Sequence, residues 1–221
     1  MPSLSNETVI IDYGMGNLRS VEKALAAVGG NPRISGEDEV VRKSARLILP
    51  GVGAFGDAMV NLKRTGLDAA IREAVTGGTP LLGLCLGLEL LFGESEEFGR
   101  HEGLGLIPGR VKKFDGTSLR VPHVGWNQIE SVRPDPLLEA LSEGSFFYFV
   151  HSFFVEPDDA GDALAWTDYG RLFCSIARRS NVWGAQFHPE KSQEAGKTLL
   201  RNFLRIPCAH GPRRHVERGA A

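Results

Sequence analysis

Along the first half of the chain, short uninterrupted apolar runs alternate with longer stretches of helical periodicity. Thr8-Val-Ile-Ile11 ends at Asp12 and predicts a strand buried on both faces. Asn17 is placed to cap a helix whose apolar positions, Leu18, Val21, Leu25 and Val28, recur every three or four residues until Gly29-Gly30. Arg46-Leu-Ile-Leu49 predicts another buried strand, stopped by Pro50-Gly-Val-Gly53. A helical stretch follows from about Asp57 to Thr76, with a break at Gly66. Pro80-Leu-Leu82 predicts a third strand, and Leu86 to Phe92 the start of another helix. Apolar strands separated by helices imply a parallel sheet covered on both faces.

The second half changes character. Gly109 to Phe114, Ser145 to Val155, Ala163 to Trp166, Arg171 to Ala177 and Val182 to Phe187 are rich in β-branched and aromatic residues. Gly, Pro and Asp turns separate them, which predicts antiparallel or mixed strands. Ser192 to Leu204 returns to helix, with Ala195, Leu199, Leu200 and Phe203 on one side. No internal repeat and no long linker divides the chain, so residues 1–207 read as one domain. From Cys208 the remaining residues, 208–221, have no periodicity and read as a disordered tail.

Composition narrows the function classes. Hydrophobic residues make up 42% of the 221 positions and charged residues 24%, enough for an ordinary core. A net charge of -2 offers no general attraction to nucleic acid or to an anionic membrane surface. No apolar run reaches the roughly 18 residues that span a bilayer, and no signal-peptide pattern opens the chain. Three cysteines, at 85, 174 and 208, suit neither a disulfide framework nor a CxxC metal site, so reduced thiols in a cytoplasmic setting are expected. No P-loop, dinucleotide fingerprint or metal-ligand cluster is present, so neither cofactor nor metal is expected.

One cysteine stands out. In Gly83-Leu84-Cys85-Leu86-Gly87 a strand meets a helix at a cysteine fenced by glycines. Strand, sharp turn at a nucleophile and helix make a nucleophile elbow, in which small residues let strand and helix backbones approach. Cys85 would sit at a helix N-terminus that favours thiolate, with the Leu86 amide aimed at an oxyanion. The alternative is a buried cysteine acting as a small hydrophobe; Cys174 and Cys208 lack such flanks and read as structural. A cysteine nucleophile needs a base and the base needs an orienting group. His188, at a strand end, has Glu190 two residues on, and in extended backbone the two side chains project the same way. Spacing leaves His123 and His151 open as other candidates.

These residues carry a resemblance that spans the chain to about Pro207. Gly-Leu-Cys-Leu-Gly with a distant Phe-His-Pro-Glu resembles the class I glutamine amidotransferases, which carry a Cys-His-Glu triad on a doubly wound α/β fold. Five further segments are similar to one branch, the glutaminase subunits of imidazole glycerol phosphate synthase. They are Asp12 to Leu18, Pro50 to Met59, Pro122 to Asn127, Tyr148 to Ser152 and His188 to Gln193. The resemblance implies a doubly wound, mainly parallel mixed sheet with helices on both faces. It also implies hydrolysis of glutamine to glutamate and ammonia through a Cys85 thioester, with His188 as base held by Glu190. Val52 and Leu86 would supply the oxyanion hole, and Gly53, Glu89 and Ser152 would bind glutamine. Glu89 departs from the family pattern, which has glutamine there; a carboxylate cannot donate to substrate and would raise the Cys85 pKa.

The implied partner is the cyclase subunit, a (β/α)₈ barrel, in a heterodimer that uses the ammonia for histidine biosynthesis. Asn17, His123, Trp126, Asn127, Tyr148 and Lys191 stand in the matching segments as partner contacts. Trp126, on the turn Gly125-Trp-Asn127, suits an interface anchor. Three other readings remain. One is a glutaminase serving anthranilate, carbamoyl phosphate or GMP synthesis, another a catalytically weak binding subunit, and the third a freestanding cysteine hydrolase.

Overall fold

The computed structural model describes residues 7–116, 120–131 and 133–208. All of the predicted tail but Cys208 lies outside the described residues. Strands β1 (Glu7–Ile11), β2 (Asn31–Ser35), β3 (Arg46–Gly51) and β4 (Leu81–Cys85) alternate with helices α1 (Leu18–Ala27), α2 (Asp38–Lys43), α3 (Phe55–Arg64) and α4 (Leu67–Thr76). Then come α5 (Leu86–Leu90), β5 (Phe92–Ser95), β6 (His101–Glu102), β7 (Ile107–Lys113), β8 (His123–Gln128) and β9 (Glu130–Ser131). The chain continues through β10 (Phe146–His151), β11 (Phe153–Pro157), β12 (Ala163–Asp168), β13 (Leu172–Arg179), β14 (Val182–Ala185) and α6 (Gln193–Arg205).

The main sheet runs β2-β1-β3-β4-β14-β13-β11-β7-β5-β6, with β12 beside β13 and β9 beside β12. From β2 to β14 all neighbours are parallel. The antiparallel additions begin where β13 pairs with β14 and continue through β11 and β7. Side chains of the parallel strands alternate between two cores. Val9, Ile11, Leu47 and Leu49 meet α2, α3 and α4, while Ile10, Ile48 and Leu82 meet α1 and α6. This two-faced burial is why those strands read as continuous apolar runs rather than as alternating ones. Among the described residues no helix is long and apolar enough to cross a membrane.

Several boundaries differ from the sequence expectation for physical reasons. The expected break at Gly66 is present, with φ of 72°, while the first of the two helices starts earlier, at Phe55. β3 continues through Pro50 to Gly51, since proline is compatible with extended backbone at a strand end. Asn17 precedes α1, yet its side chain caps nothing. The predicted strand from Ser145 to Val155 divides at Ser152, and its two halves join different sheets. The expected turn at Gly125-Trp-Asn127 is instead the middle of β8, paired with Phe147 to Phe149 of β10 in a separate two-stranded ribbon.

Candidate active site

Cys85 ends β4 with φ of 54° and ψ of −113°, a conformation that L-residues rarely hold without support. The support is packing of strand against helix. A Cβ on Gly87 would lie 1.8 Å from the Leu49 carbonyl oxygen, and one on Gly83 2.5 Å from the Gly87 oxygen. The two fencing glycines are therefore the condition for α5 to turn back over β3 and β4. Leu86 opens α5, so its amide is one of the donors that the helix leaves unpaired.

The candidate base, His188, arrives from the neighbouring strand. β14 lies parallel to β4, with Ala185 opposite Leu84, so the chain leaving β14 passes the elbow. His188 is fixed there by its own amide, which donates to the Tyr148 carbonyl at 2.9 Å. The chain then turns through Pro189–Lys191 as a single 3-10 turn. The pairing expected from extended backbone is thus made through a turn. His188 Nδ1 lies 2.9 Å from Glu190 Oε1, with the two side chains 5% and 2% exposed. A carboxylate there fixes the proton on Nδ1 and leaves Nε2 as the acceptor. Nε2 is buried and has no partner among the described residues.

Cys85, Leu86, Val52, Gly53, Glu89, Ser152 and His188 all line one cavity of about 470 Å³. The proposed nucleophile, base, oxyanion donors and glutamine contacts thus share one space. Cys85 Sγ is 3.9 Å from the Val150 carbonyl oxygen. Burial pushes the thiol pKa well above its ordinary value, and the charges of Glu89 and Glu190 add to it. The Leu86 amide and Lys191 act the other way but do not overcome burial. Burial therefore outweighs the α5 dipole, which the sequence led one to expect would favour the thiolate. Burial thus favours the thiol over the thiolate, in a cavity that His188 also lines.

Glu89 is 6% exposed and accepts a hydrogen bond from Gln186 Nε2 at 2.9 Å. Burial raises its pKa to about 8; Gln186 opposes the rise and Glu97 adds to it. A carboxyl in that range is largely protonated near neutrality and has an O–H to donate. The expected obstacle, a charged carboxylate facing substrate, is thus reduced by the environment.

The residues expected at a partner surface separate into two groups. Asn17 and Lys191 are exposed, and Trp126 is 46% exposed. Trp126 meets the half-buried Tyr148 edge-on at 6.1 Å, with Lys191 Nζ 5.7 Å from the Tyr148 ring centre. These four carry the exposed part of that set. Asn127 is half-buried, and its amide is engaged by Asp168 and His123. His123 does not belong at a surface: it is 3% exposed, stacked between Tyr169 and Phe149 because its ring points inward from β8.

Sequence reasoning missed Gln186 and Tyr13. Tyr13 is buried and donates to the Pro50 carbonyl at 2.9 Å, pinning the base of the loop that carries Val52. Both residues stand within or beside the motif segments, Gln186 two places before His188, and that proximity was the available signal. Among the described residues no group of three or more His, Cys, Asp or Glu side chains is arranged to hold a metal ion.

Residues 9–206 match the family described as Glutamine amidotransferase class-I. The chain belongs to the class-I glutamine amidotransferase family. This glutamine amidotransferase is 52% identical over 201 residues to "Imidazole glycerol phosphate synthase subunit HisH" of Syntrophotalea carbinolica, a match covering 88% of this chain and 98% of the relative. It is 46% identical to the HisH subunit of Salinibacter ruber, covering 95% and 99%, and 51% identical to that of Aquifex aeolicus, covering 90% and 96%. Its fold is also that of "PurLQS from Thermotoga maritima", with a TM-score of 0.71 to 0.72 spanning that structure and a second titled "glutamine amidotransferase". The identities are 20% and 22%; PurLQS covers 90% of this chain and 98% of that one, and the second 89% and 96%.

Proposed function

We propose that this glutamine amidotransferase is the glutaminase subunit of an imidazole glycerol phosphate synthase, with Cys85, His188 and Glu190 as its catalytic triad. The observation that carries the triad is His188 Nε2, buried and unpartnered in the residue that shares a cavity with Cys85. The HisH identity of its relatives carries the choice of subunit.

Glutamine enters the cavity with its side-chain amide toward Cys85. Gly53, Ser152 and a protonated Glu89 hold the substrate. Cys85 Sγ attacks the amide carbon while its proton passes to His188 Nε2, and Glu190 steadies the imidazolium. The Leu86 and Val52 amides take the charge that develops on the amide oxygen. Collapse of this intermediate breaks the C–N bond, and the proton on Nε2 moves to the departing nitrogen, which leaves as ammonia. Water, with His188 again as base, then opens the γ-glutamyl thioester to glutamate and restores the thiol. Ammonia passes to the cyclase subunit, a (β/α)₈ barrel that docks beside Asn17, Trp126, Tyr148 and Lys191. The heterodimer works in the cytoplasm on histidine biosynthesis.

Glutamate release from glutamine is the direct test, run on the chain alone and then with the cyclase subunit and its ribotide ligand. Release rises strongly in the complex, and Cys85→Ala lowers it by at least about 10³-fold. Equal and fast turnover without the partner would mean a freestanding hydrolase.

A further inference from the structure

Two further buried histidines stand beside the triad, and the chemistry above does not use them. His151 lines the cavity, and His123 lies behind it. Their proton positions follow from the one atom in the cluster that can only accept. The Phe153 carbonyl oxygen is 2.7 Å from His151 Nδ1, so that nitrogen carries the hydrogen. Burial lowers the His151 pKa to about 3 and that of His123 to about 4, and both rings are neutral. His151 Nε2 is therefore an acceptor. It faces His123 Nδ1 at 2.9 Å, which must donate. His123 Nε2 accepts in turn, from Asn127 Nδ2 at 3.3 Å. The same Asn127 nitrogen gives its other hydrogen to the Asp168 carbonyl at 2.9 Å, and Asn127 Oδ1 accepts from the Gln128 amide at 2.8 Å. Every polar atom has one role, and the bonds run in one direction from Asn127 to Phe153.

Stacking holds the chain in place. The His123 ring lies 3.9 Å from the Tyr169 ring and 5.0 Å from that of Phe149. At its inner end stands the 150–153 wall of the cavity, with the Val150 oxygen near Cys85 Sγ and the Ser152 oxygen held by the Phe114 amide at 3.0 Å. At its outer end Asn127 adjoins the exposed Trp126.

We propose that Asn127, His123 and His151 form a one-way hydrogen-bond chain that positions the 150–153 wall for glutamine, which makes the two histidines positioning residues. This rests on reading the cavity as the glutamine site. A protonated ring, or the other tautomer, sets N–H against N–H and breaks the chain.

Two measurements test it. Long-range ¹H–¹⁵N spectra of histidine-labelled protein at pH 7, assigned with His123→Asn and His151→Asn, read the tautomers directly. Both histidines are expected in the Nδ1–H form, and an Nε2–H form at either one overturns the chain. Glutamine kinetics of the complex with the cyclase subunit then read its effect. His123→Phe keeps a flat ring between Tyr169 and Phe149 but loses both hydrogen bonds, and raises KM about three- to tenfold with kcat changed less than about twofold. His123→Asn sets an amide nitrogen where Nδ1 stood and returns KM to within about twofold of the unsubstituted value. An unchanged KM in His123→Phe, or a loss that Asn does not restore, overturns the positioning role. Should His123→Phe not fold, the tautomers of the unsubstituted protein still decide. If the unsubstituted complex releases no glutamate, the functional reading fails instead, and the tautomers alone judge the chain.

Discussion

Glu89 shows how environment redefines a side chain. On paper it places a negative charge one turn from the nucleophile; in the folded protein burial and Glu97 hold its pKa near 8. On the proposed reading, its proton is a donor to substrate. Raising the pH from 7 to 9 removes the donor and raises KM for glutamine several-fold, whereas Glu89→Gln gives a KM that does not follow this transition. Initial rates across that range check both. Stability carries the same signature. The folded carboxyl keeps its proton up to about 8 while the unfolded one loses it near 4.5, so this group's contribution falls as pH rises through that window. His123 and His151 act in the opposite sense at lower pH. Their folded values near 4 and 3 lie below the ordinary 6.5, so stability rises with pH up to about 6.5. Thermal melts of the unsubstituted protein and Glu89→Gln, compared at each pH, isolate the carboxyl: the difference between them grows from about pH 4.5 to 8 and then levels. Cys85, His188 and Glu190 were legible in the sequence because each stands in a motif whose chemistry demands its neighbours. The protonation of Glu89 was not, since it follows first from burial in the folded site, which no local pattern shows.

Elements that pack on both faces announce themselves, and those at an edge do not. β1, β3 and β4 were readable as apolar runs, while β2, with Asn31, Pro32 and Arg33 at the sheet's border, carries no such signal. α2 is six residues long, and acidic residues at its start and basic ones at its end suit the helix dipole more than any periodicity marks it. The division at Ser152 was hidden for another reason: β10 and β11 share one aromatic composition and differ only in which sheet they join. The glycines of the elbow were readable, and their contacts show why. A methyl group on Gly87 would collide with the Leu49 backbone, which cannot swing aside as a side chain could. Gly87→Ala therefore lifts α5 from β3, costing about 3 kcal/mol or more and reducing glutaminase activity in parallel. Urea unfolding and glutamate release on the same preparation measure the two together.

At the scale of the whole molecule, one carboxylate between β9 and β10 ties that segment to the paired strands β13 and β14. Asp135 pairs with Arg178 of β13, accepts from Trp183 Nε1 of β14 at 3.2 Å and from the Leu137 amide at 2.8 Å. Removing it leaves three donors without an acceptor. Asp135→Ala costs about 3 kcal/mol, the lower end for breaking a buried pair because Arg178 is 28% exposed. A shifted urea midpoint with unchanged slope is the expected result. The doubly wound plan was legible from alternating apolar strands and helices, but nothing local to Asp135 shows that it reaches both β13 and β14.

β14 is the last strand among the described residues, yet it lies inside the sheet between β4 and β13. A protein is made from its N-terminus, at about 5–20 residues per second. During synthesis the first four strands and the antiparallel region therefore precede the strand that joins them, and each faces the gap with an open edge. Cys85 leaves the ribosome early, but His188, its proposed base, follows only after Val182–Ala185 has emerged. On the proposed triad, an unfinished copy of this enzyme is inert, and its chemistry begins when the closing strand slides home.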